Sequence, residues 1–184
     1  MHYTVCDYIL DVFQNSVEAG ASTISVEILE SPDTIAVSVT DDGPGMTAET
    51  QQKVLDPFYT DGKKHPGRRV GLGLPFVKQT ADQTGGEFTL TSRPGIGTTV
   101  SFAFDARNVD TPPIGDVAQT VRSLLCFDRP YEAVIRRTRR DGETYTVSRS
   151  ELIDALGEIE SLDSLVMLGR FLESLESGVS AELD

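Results

Sequence analysis

Sulfur and imidazole ligands are scarce in this chain of 184 residues, which has two cysteines and two histidines. Cys6 and Cys126 lie far apart in sequence, a spacing that excludes a disulfide framework and a cysteine-based metal pattern. Each is expected to be a buried thiol on a predicted helix. Long apolar runs are also absent, since none approaches the roughly 18 residues that cross a bilayer, and the N-terminus has no signal-like segment. We therefore expect a cytoplasmic protein with no membrane partner.

Cations are the other deficit, because 16 Lys and Arg stand against 29 Asp and Glu, for a net charge of −13. Proteins that bind nucleic acids need cations to displace phosphate counterions, so no nucleic-acid partner is expected. One local exception is a group of four basic residues between positions 60 and 71: Lys63, Lys64, Arg68 and Arg69. The stretch 56–70 also holds two prolines and two glycines and is predicted to be a mobile surface loop.

Apolar residues at helical spacing predict an amphipathic helix over residues 4–19, ending at Gly20. Its polar face carries Asp11 and Asn15 one turn apart, so both side chains can point at the same object. Period-2 alternation predicts two hairpins, at 24–39 and 87–104, with a short helix after Thr47 and a helix from Gly71 to about residue 84 between them. This order suits an antiparallel sheet covered on one face by helices.

The C-terminal part is expected to form a small α/β domain of its own. We divide the chain into an N-terminal domain at 1–105, a linker at 106–113 and a C-terminal domain at 114–184. The last contains predicted helices at 116–126 and 149–157 and from Asp163 onward, and strands at 131–138 and 144–147. Its basic run, Arg136, Arg137, Arg139 and Arg140, is interpreted as a solvated strand edge, with a binding patch as the alternative.

The segment Asp41-Asp42-Gly43-Pro44-Gly45-Met46 would be an ordinary turn if it stood alone. Combined with its surroundings, it provides what a nucleotide needs. Asp41 can accept a hydrogen bond from an adenine amine, and the glycines let a base approach the backbone. Gly71-Leu72-Gly73 would present amide groups at a helix N-terminus to phosphates, beside the basic loop. Asn15 suits magnesium that keeps most of its water shell.

Five segments resemble, in order, the signature boxes of the ATP-binding superfamily that joins gyrase, heat-shock chaperone, sensor histidine kinase and mismatch-repair ATPases. They are Asn15-Ser16-Val17-Glu18-Ala19-Gly20-Ala21, Asp41 to Met46, Asp56-Pro57-Phe58, Gly71-Leu72-Gly73-Leu74 and Gly97-Thr98. The later segments are most similar to the histidine kinase branch, and the first is more similar to the mismatch-repair branch. The resemblance implies an α+β fold, a two-layer α/β sandwich of the Bergerat type, to which residues 114–184 would add a small α/β extension.

The resemblance also implies ATP and Mg²⁺ as ligands, with Asn15 on magnesium, Asp41 on adenine and residues 59–70 as a lid. The nucleotide-binding residues expected from it are Asn15, Asp41, Gly43, Gly45, Met46, Phe58, Thr60, Lys63, Lys64, Arg68, Arg69, Gly71, Leu72, Gly73, Leu74 and Thr98. Two positions depart from the family. Arg69 replaces a glycine of the kinase phosphate loop and either weakens the cradle or contacts phosphate. Asp11 stands where the family has glutamate, as a general base, or asparagine; it is our candidate general base, with a solvated acid or a residue supporting magnesium as alternatives.

These features predict a stand-alone histidine kinase-like protein that transfers phosphate to a partner protein, or regulates it, in signal transduction. Three residues precede the first predicted helix, and neither His2 nor His65 is placed for attack on ATP, so the phosphoacceptor is expected on another protein. Residues 106–184 would dock that partner or form a homodimer, and they loosely resemble the extension of ATP-binding proteins that accompany anaerobic redox enzymes such as hydrogenases. The alternatives are a slow ATPase acting as a conformational switch and a nucleotide sensor without turnover.

Overall fold

A computed structural model of the protein describes residues 4–56, 73–157, 159 and 161–178. The elements follow the order α1 Val5–Ala19, β1 Thr23–Glu30, β2 Thr34–Asp41, α2 Ala48–Val54, α3 Gly73–Thr84, β3 Glu87–Arg93, β4 Gly97–Asp105, α4 Val117–Leu125, β5 Glu132–Thr138, β6 Thr144–Ser148, α5 Arg149–Leu156 and α6 Leu162–Ser177. The predicted α+β sandwich is confirmed. A small difference concerns α6, which is capped by the hydroxyl of Ser161 rather than by Asp163. Within the described residues, no helix has both the length and the apolar character needed to cross a membrane.

The six strands form one sheet in the order β3-β4-β2-β1-β5-β6. Four of the five pairings are antiparallel, as expected, but β5 lies parallel to β1, with Ile24 opposite Ala133 and Val26 opposite Ile135. The antiparallel sheet expected for the segment up to residue 104 is confirmed in β1 to β4, whereas β5 adds a parallel pairing that was not predicted. The reason is that α4 lies between β4 and β5 and brings β5 to the sheet in the direction that parallel pairing requires. The sheet is mixed.

Alternate residues of the strands pack against the helices on one face of the sheet. Val26 and Val39, which are opposite each other in the register, are fully buried there. Phe13 of α1 is completely buried and contacts Tyr131 edge-on, with ring centroids 5.7 Å apart. Side chains of the other parity, such as Thr40 and Thr99, line the opposite face, where their hydroxyls hydrogen-bond to each other. This arrangement places α1 above the end of β2.

The division into two domains and a linker stays a prediction, but the sheet and the core cross the expected boundary. The last residue of the predicted linker and the first residue of the predicted C-terminal domain bind the first turn of α1. The Val5 and Cys6 N–H groups donate to the carbonyls of Pro113 and Ile114, both at 2.9 Å. Those N–H groups have no partner within a helix. The C-terminal strands then extend the same sheet beyond β1, and α4 packs against α1.

Arg137 corrects the interpretation of the basic run as a solvated edge. The β6 strand, not β5, lies at this end of the sheet, and the side chain of Arg137 points into the core with 2% of its surface exposed. Its guanidinium donates to Glu30 Oε2 at 2.5 Å, to Glu176 Oε1 at 3.3 Å and to the Thr138 carbonyl. Arg136, on the other face of β5, is exposed and agrees with the prediction.

No disulfide joins Cys6 and Cys126, and the predicted burial is confirmed for Cys6, whereas Cys126 is half-buried. Burial raises the pKa of the Cys6 thiol from 9.0 to about 11. The protonated thiol is therefore the stable form of this side chain in the folded protein.

Candidate functional site

Asp41 is the last residue of β2, and its half-buried carboxylate lies against α1. The hydroxyl of the buried Ser16 donates to Asp41 Oδ2 at 2.6 Å, and the Gly43 N–H donates to Oδ1 at 2.9 Å. Each carboxylate oxygen can accept more than one hydrogen bond, so both retain capacity for a ligand. The carboxylate is thus held in one orientation by two donors and can still accept a third. Ser16 was not among the predicted site residues, although it lies in the first of the five segments that resemble the family.

The neighbouring acid, Asp42, has a different environment. Its Oδ1 accepts the backbone N–H groups of Ser22 and Thr23 at 2.7 and 2.9 Å. The hydrogen bond from the Thr23 backbone is the main reason that the pKa of this exposed carboxyl is lowered. Asp42 therefore ties the end of β2 to the start of β1, which leaves Asp41 as the acid that faces the helix layer.

Two glycines after Asp41 lie in close contact with their surroundings. A side chain at Gly43 would bring its Cβ within 2.9 Å of Asp41 Oδ1 and would disturb the carboxylate. At Gly45 the backbone has φ of 66°, and a Cβ would lie 1.9 Å from the carbonyl oxygen of Arg93. No other residue type fits there without displacing β3. The predicted importance of both glycines therefore has a steric basis in the fold.

The segment after Gly45 is anchored by two residues that the sequence analysis missed. The Met46 N–H donates to Ser92 Oγ at 2.7 Å, and that hydroxyl lies 2.9 Å from Thr98 Oγ1 and donates to the Gly97 carbonyl. Gln51 of α2 donates to the carbonyls of Met46 and Ser92 at 3.2 and 2.9 Å. The predicted site residues Met46 and Thr98 are thus joined through Ser92. Neither Ser92 nor Gln51 belongs to a motif, so nothing local in the sequence could have identified them.

The polar face of α1 lies against the first residue of α3. Gly73 is buried, and a Cβ at this position would lie 3.0 Å from Asp11 Oδ2 and 3.1 Å from Asp11 Cβ. Asn15 is one turn further along α1 and is exposed, and Leu74 is half-buried against the core. The structure therefore brings Asp11 to the start of the helix that the sequence analysis linked to phosphate.

Several predicted site residues lie outside the described residues: Phe58, Thr60, Lys63, Lys64, Arg68, Arg69, Gly71 and Leu72. Their roles, including the lid and most of the phosphate loop, stay predictions. The described site consists of an oriented acid at the end of β2, two glycines in close contact with their surroundings, and an acid and an amide on the facing helix. A two-layer α/β sandwich with this arrangement fits the class of ATP-binding sandwich proteins.

Comparison with known proteins assigns the family. The profile described as "Histidine kinase-, DNA gyrase B-, and HSP90-like ATPase" matches residues 5–108, and the chain belongs to this family, whose members bind ATP, generally with Mg²⁺. The predicted resemblance is confirmed, including its closeness to histidine kinase catalytic domains.

Several of the similar proteins are named as sensor kinases. Sensor kinase CckA of Brucella abortus is 35% identical over 181 residues, which cover 90% of this chain and 18% of the relative. Sensor histidine kinase WalK of Bacillus subtilis is 32% identical over 96 residues, or 51% of this chain and 16% of the relative. The chain thus spans less than a fifth of the length of either protein. Among solved structures, the catalytic domain of histidine kinase ThkA is 24% identical and covers 58% of this chain and 66% of that one, with a TM-score of 0.43.

Proposed function

We propose that this chain binds Mg-ATP between α1, the end of β2 and the start of α3, and that it transfers phosphate to a partner protein or regulates that partner through the bound nucleotide. The observation that carries the proposal is the Asp41 carboxylate, which Ser16 and Gly43 hold in one orientation. An acceptor that is already oriented loses little conformational entropy when an adenine amine donates to it.

The residues around Asp41 fit the rest of a nucleotide. Gly43 keeps a side chain away from the Asp41 carboxylate, so the acceptor stays accessible to a flat base, and Gly45 lets the segment lie against the Arg93 carbonyl. Asn15, exposed on α1, would offer its side-chain oxygen to magnesium. Gly73 begins a helix of 12 residues, whose N-terminal amides would attract phosphate oxygens. The four basic residues of the predicted lid would offset the remaining negative charge.

Asp11 is proposed as the residue that decides the fate of the phosphate. Its carboxylate lies against Gly73, at the helix end where phosphates would bind, so it can hold a water molecule or a hydroxyl group and take its proton. ATP supplies the phosphoryl group for such a reaction. If Asp11 is the base, Asp11→Asn should stop turnover and spare binding; retained turnover would instead assign Asp11 to the support of Asn15 and magnesium.

The adenine assignment is tested by a matched pair of substitutions. Asp41→Asn replaces one acceptor oxygen by a donor and should weaken ATP binding by about thirtyfold or more, since about 2 kcal/mol is lost when a ligand donor meets no acceptor. Asp42→Asn makes the same change in charge one residue away and should leave the affinity within about threefold. Isothermal titration calorimetry with Mg-ATP measures both. Equal affinities for the two variants would refute the role of Asp41.

Labelled Mg-ATP separates the proposed phosphotransfer from its alternatives. A labelled partner protein supports phosphotransfer, free labelled phosphate supports a slow ATPase that switches conformation, and neither product together with measurable binding supports a nucleotide sensor. The partner can be sought by affinity capture from native cells with and without ATP, followed by mass spectrometry of phosphorylated residues. Absence of any thermal shift with Mg-ATP would contradict all three functions.

A further inference from the structure

The outer face of α6 carries a concentration of exposed apolar side chains. Seven large hydrophobic residues are exposed in the described part of the chain. Four of them lie in a single ten-residue stretch of this helix: Leu162, Val166, Met167 and Phe171. Their exposed fractions run from 42% for Phe171 to 77% for Leu162. The opposite side of α6 is already used, since Leu168 and Leu172 are buried in the core and α6 packs on α4. The helix therefore has a second apolar surface that no part of the described chain covers.

Two opposite charges lie within this apolar surface. Successive residues of an α-helix are 100° apart, so Asp163 and Arg170 project within about 20° of each other, between Val166 on one side and Met167 on the other. They are seven residues and about 10 Å apart along the axis, too far for a pair within one helix. Within the described residues, neither forms an ion pair. Both are exposed.

This surface is complementary to itself when two copies are antiparallel. With a two-fold axis between positions 166 and 167, Asp163 of one copy lies opposite Arg170 of the other. At the opposite end of the contact, Arg170 of the first copy lies opposite Asp163 of the second. Val166 and Met167 then meet their own counterparts at the centre, and Leu162 and Phe171 flank each ion pair. Closed two-fold symmetry of this kind is the usual form of a homodimer interface. A parallel arrangement would instead place Arg170 next to Arg170.

We propose that the outer face of α6 binds the same face of a second copy of this chain in antiparallel orientation, with Val166 and Met167 at the centre and an Asp163–Arg170 pair at each end. One helix from each copy buries less surface than a standard interface, so we expect a reversible dimer in the micromolar range. The proposed nucleotide site lies on other elements, at α1, β2 and α3.

Charge reversal tests both the surface and its orientation. Asp163→Arg alone gives only positive charges at the paired positions and Arg170→Asp alone gives only negative ones, so each single variant should dimerise at least about tenfold more weakly than the unaltered protein. An equimolar mixture of the two should form a heterodimer, because each position is then opposite an opposite charge. The variant that carries both changes should again form a homodimer. Sedimentation velocity over a wide concentration range measures all four samples.

The controls separate association from folding. Asp154→Arg, on the exposed face of α5, makes the same change in charge and should leave dimerisation unaltered. Met167→Asp places a charge at the centre and should give a monomer that neither charge reversal rescues. Circular dichroism melting curves identify any variant that has lost its fold, and Asp163→Asn then serves as the milder substitution. A protein that stays monomeric at all concentrations would overturn the proposal, as would a dimer that is insensitive to the reversals or mixed variants that fail to associate.

Discussion

Substitution of Arg137 by methionine should destabilise this protein strongly, although the residue lies in a run of arginines. Arg137 is 2% exposed and is the cation between Glu30 and Glu176. The Tyr145 hydroxyl also donates to Glu176 at 2.7 Å, and burial is the main reason that the pKa of that tyrosine is raised. Methionine fills much of the same volume but leaves two partly buried carboxylates without their cation.

The size of the effect follows from the burial of the pair. Breaking a buried ion pair from one side costs about 3–5 kcal/mol, because the remaining charge stays out of water without a partner. The carboxylates here keep some access to solvent, with 17% of the Glu30 side chain and 21% of the Glu176 side chain exposed, so we expect the lower part of this range, about 3 kcal/mol. That is a large share of a total stability of about 5–15 kcal/mol. The melting temperature should fall by roughly 6–12 °C for a chain of this size.

Urea denaturation followed by circular dichroism measures the free energy of unfolding. Arg136→Met is the matched control, since it removes the neighbouring arginine from the exposed side of the same strand and should change stability by less than about 0.5 kcal/mol. A triple variant with Glu30→Gln and Glu176→Gln should recover part of the loss, because it removes the unpaired charges. Similar stabilities for Arg137→Met and Arg136→Met would refute the reasoning.

Three further changes test the site and the core. Gly45→Ala should lower the free energy of unfolding by about 2–3 kcal/mol and weaken ATP binding, because its Cβ would overlap the Arg93 carbonyl. Gly20→Ala, also at positive φ but with open space around it, should lower the free energy of unfolding by about 1 kcal/mol. Urea denaturation and calorimetry compare the two variants, and equal losses of stability would contradict the steric argument. Gln51→Ala removes two hydrogen bonds to backbone carbonyls, so it should lower the free energy of unfolding by about 1–2 kcal/mol and weaken ATP binding several-fold in the same assays. Unchanged affinity would mean that Gln51 does not position Met46. Because the pKa of Cys6 is raised in the folded protein, the free energy of unfolding should fall by about 2–3 kcal/mol as the pH rises from 9 through 11. Cys6→Ala should lack this part of the pH dependence when unfolding is measured at several pH values.

The elements of this fold could be predicted from the sequence because their signals are local. Each signal depends on residues within one turn or one strand. Examples are the apolar spacing of α1 with its glycine C-cap, the alternation in both hairpins and the cap at Thr47. The parallel pairing of β5 with β1 could not be predicted in the same way. Alternation identifies a strand but not its neighbour, and more than 100 residues separate Ile24 from its partner Ala133.

The site shows the same division between local and distant signals. Asp41, Gly43 and Gly45 belong to one short segment, and the structure gives each a definite steric or hydrogen-bonding place. Ser92 acts through hydrogen bonds with Met46 and Gln51, which are distant from it by 46 and 41 positions in the sequence. No sequence motif links residues that far apart. The burial of Arg137 was missed because a run of arginines predicts solvent exposure unless its partners, Glu30 and Glu176, are known.

The insertion of β5 beside β1 also has a consequence for how the protein is made. Synthesis from the N-terminus produces the whole segment that matches the family profile, residues 5–108, before the strand that covers the open edge of β1. About 30 more residues must be added before β5 is complete, which takes on the order of seconds at about 5–20 residues per second. During that interval β1 presents unpaired backbone groups and Phe13 lacks its aromatic neighbour Tyr131. Defects in β5 should therefore reduce the yield of folded protein in the cell before they change its chemistry.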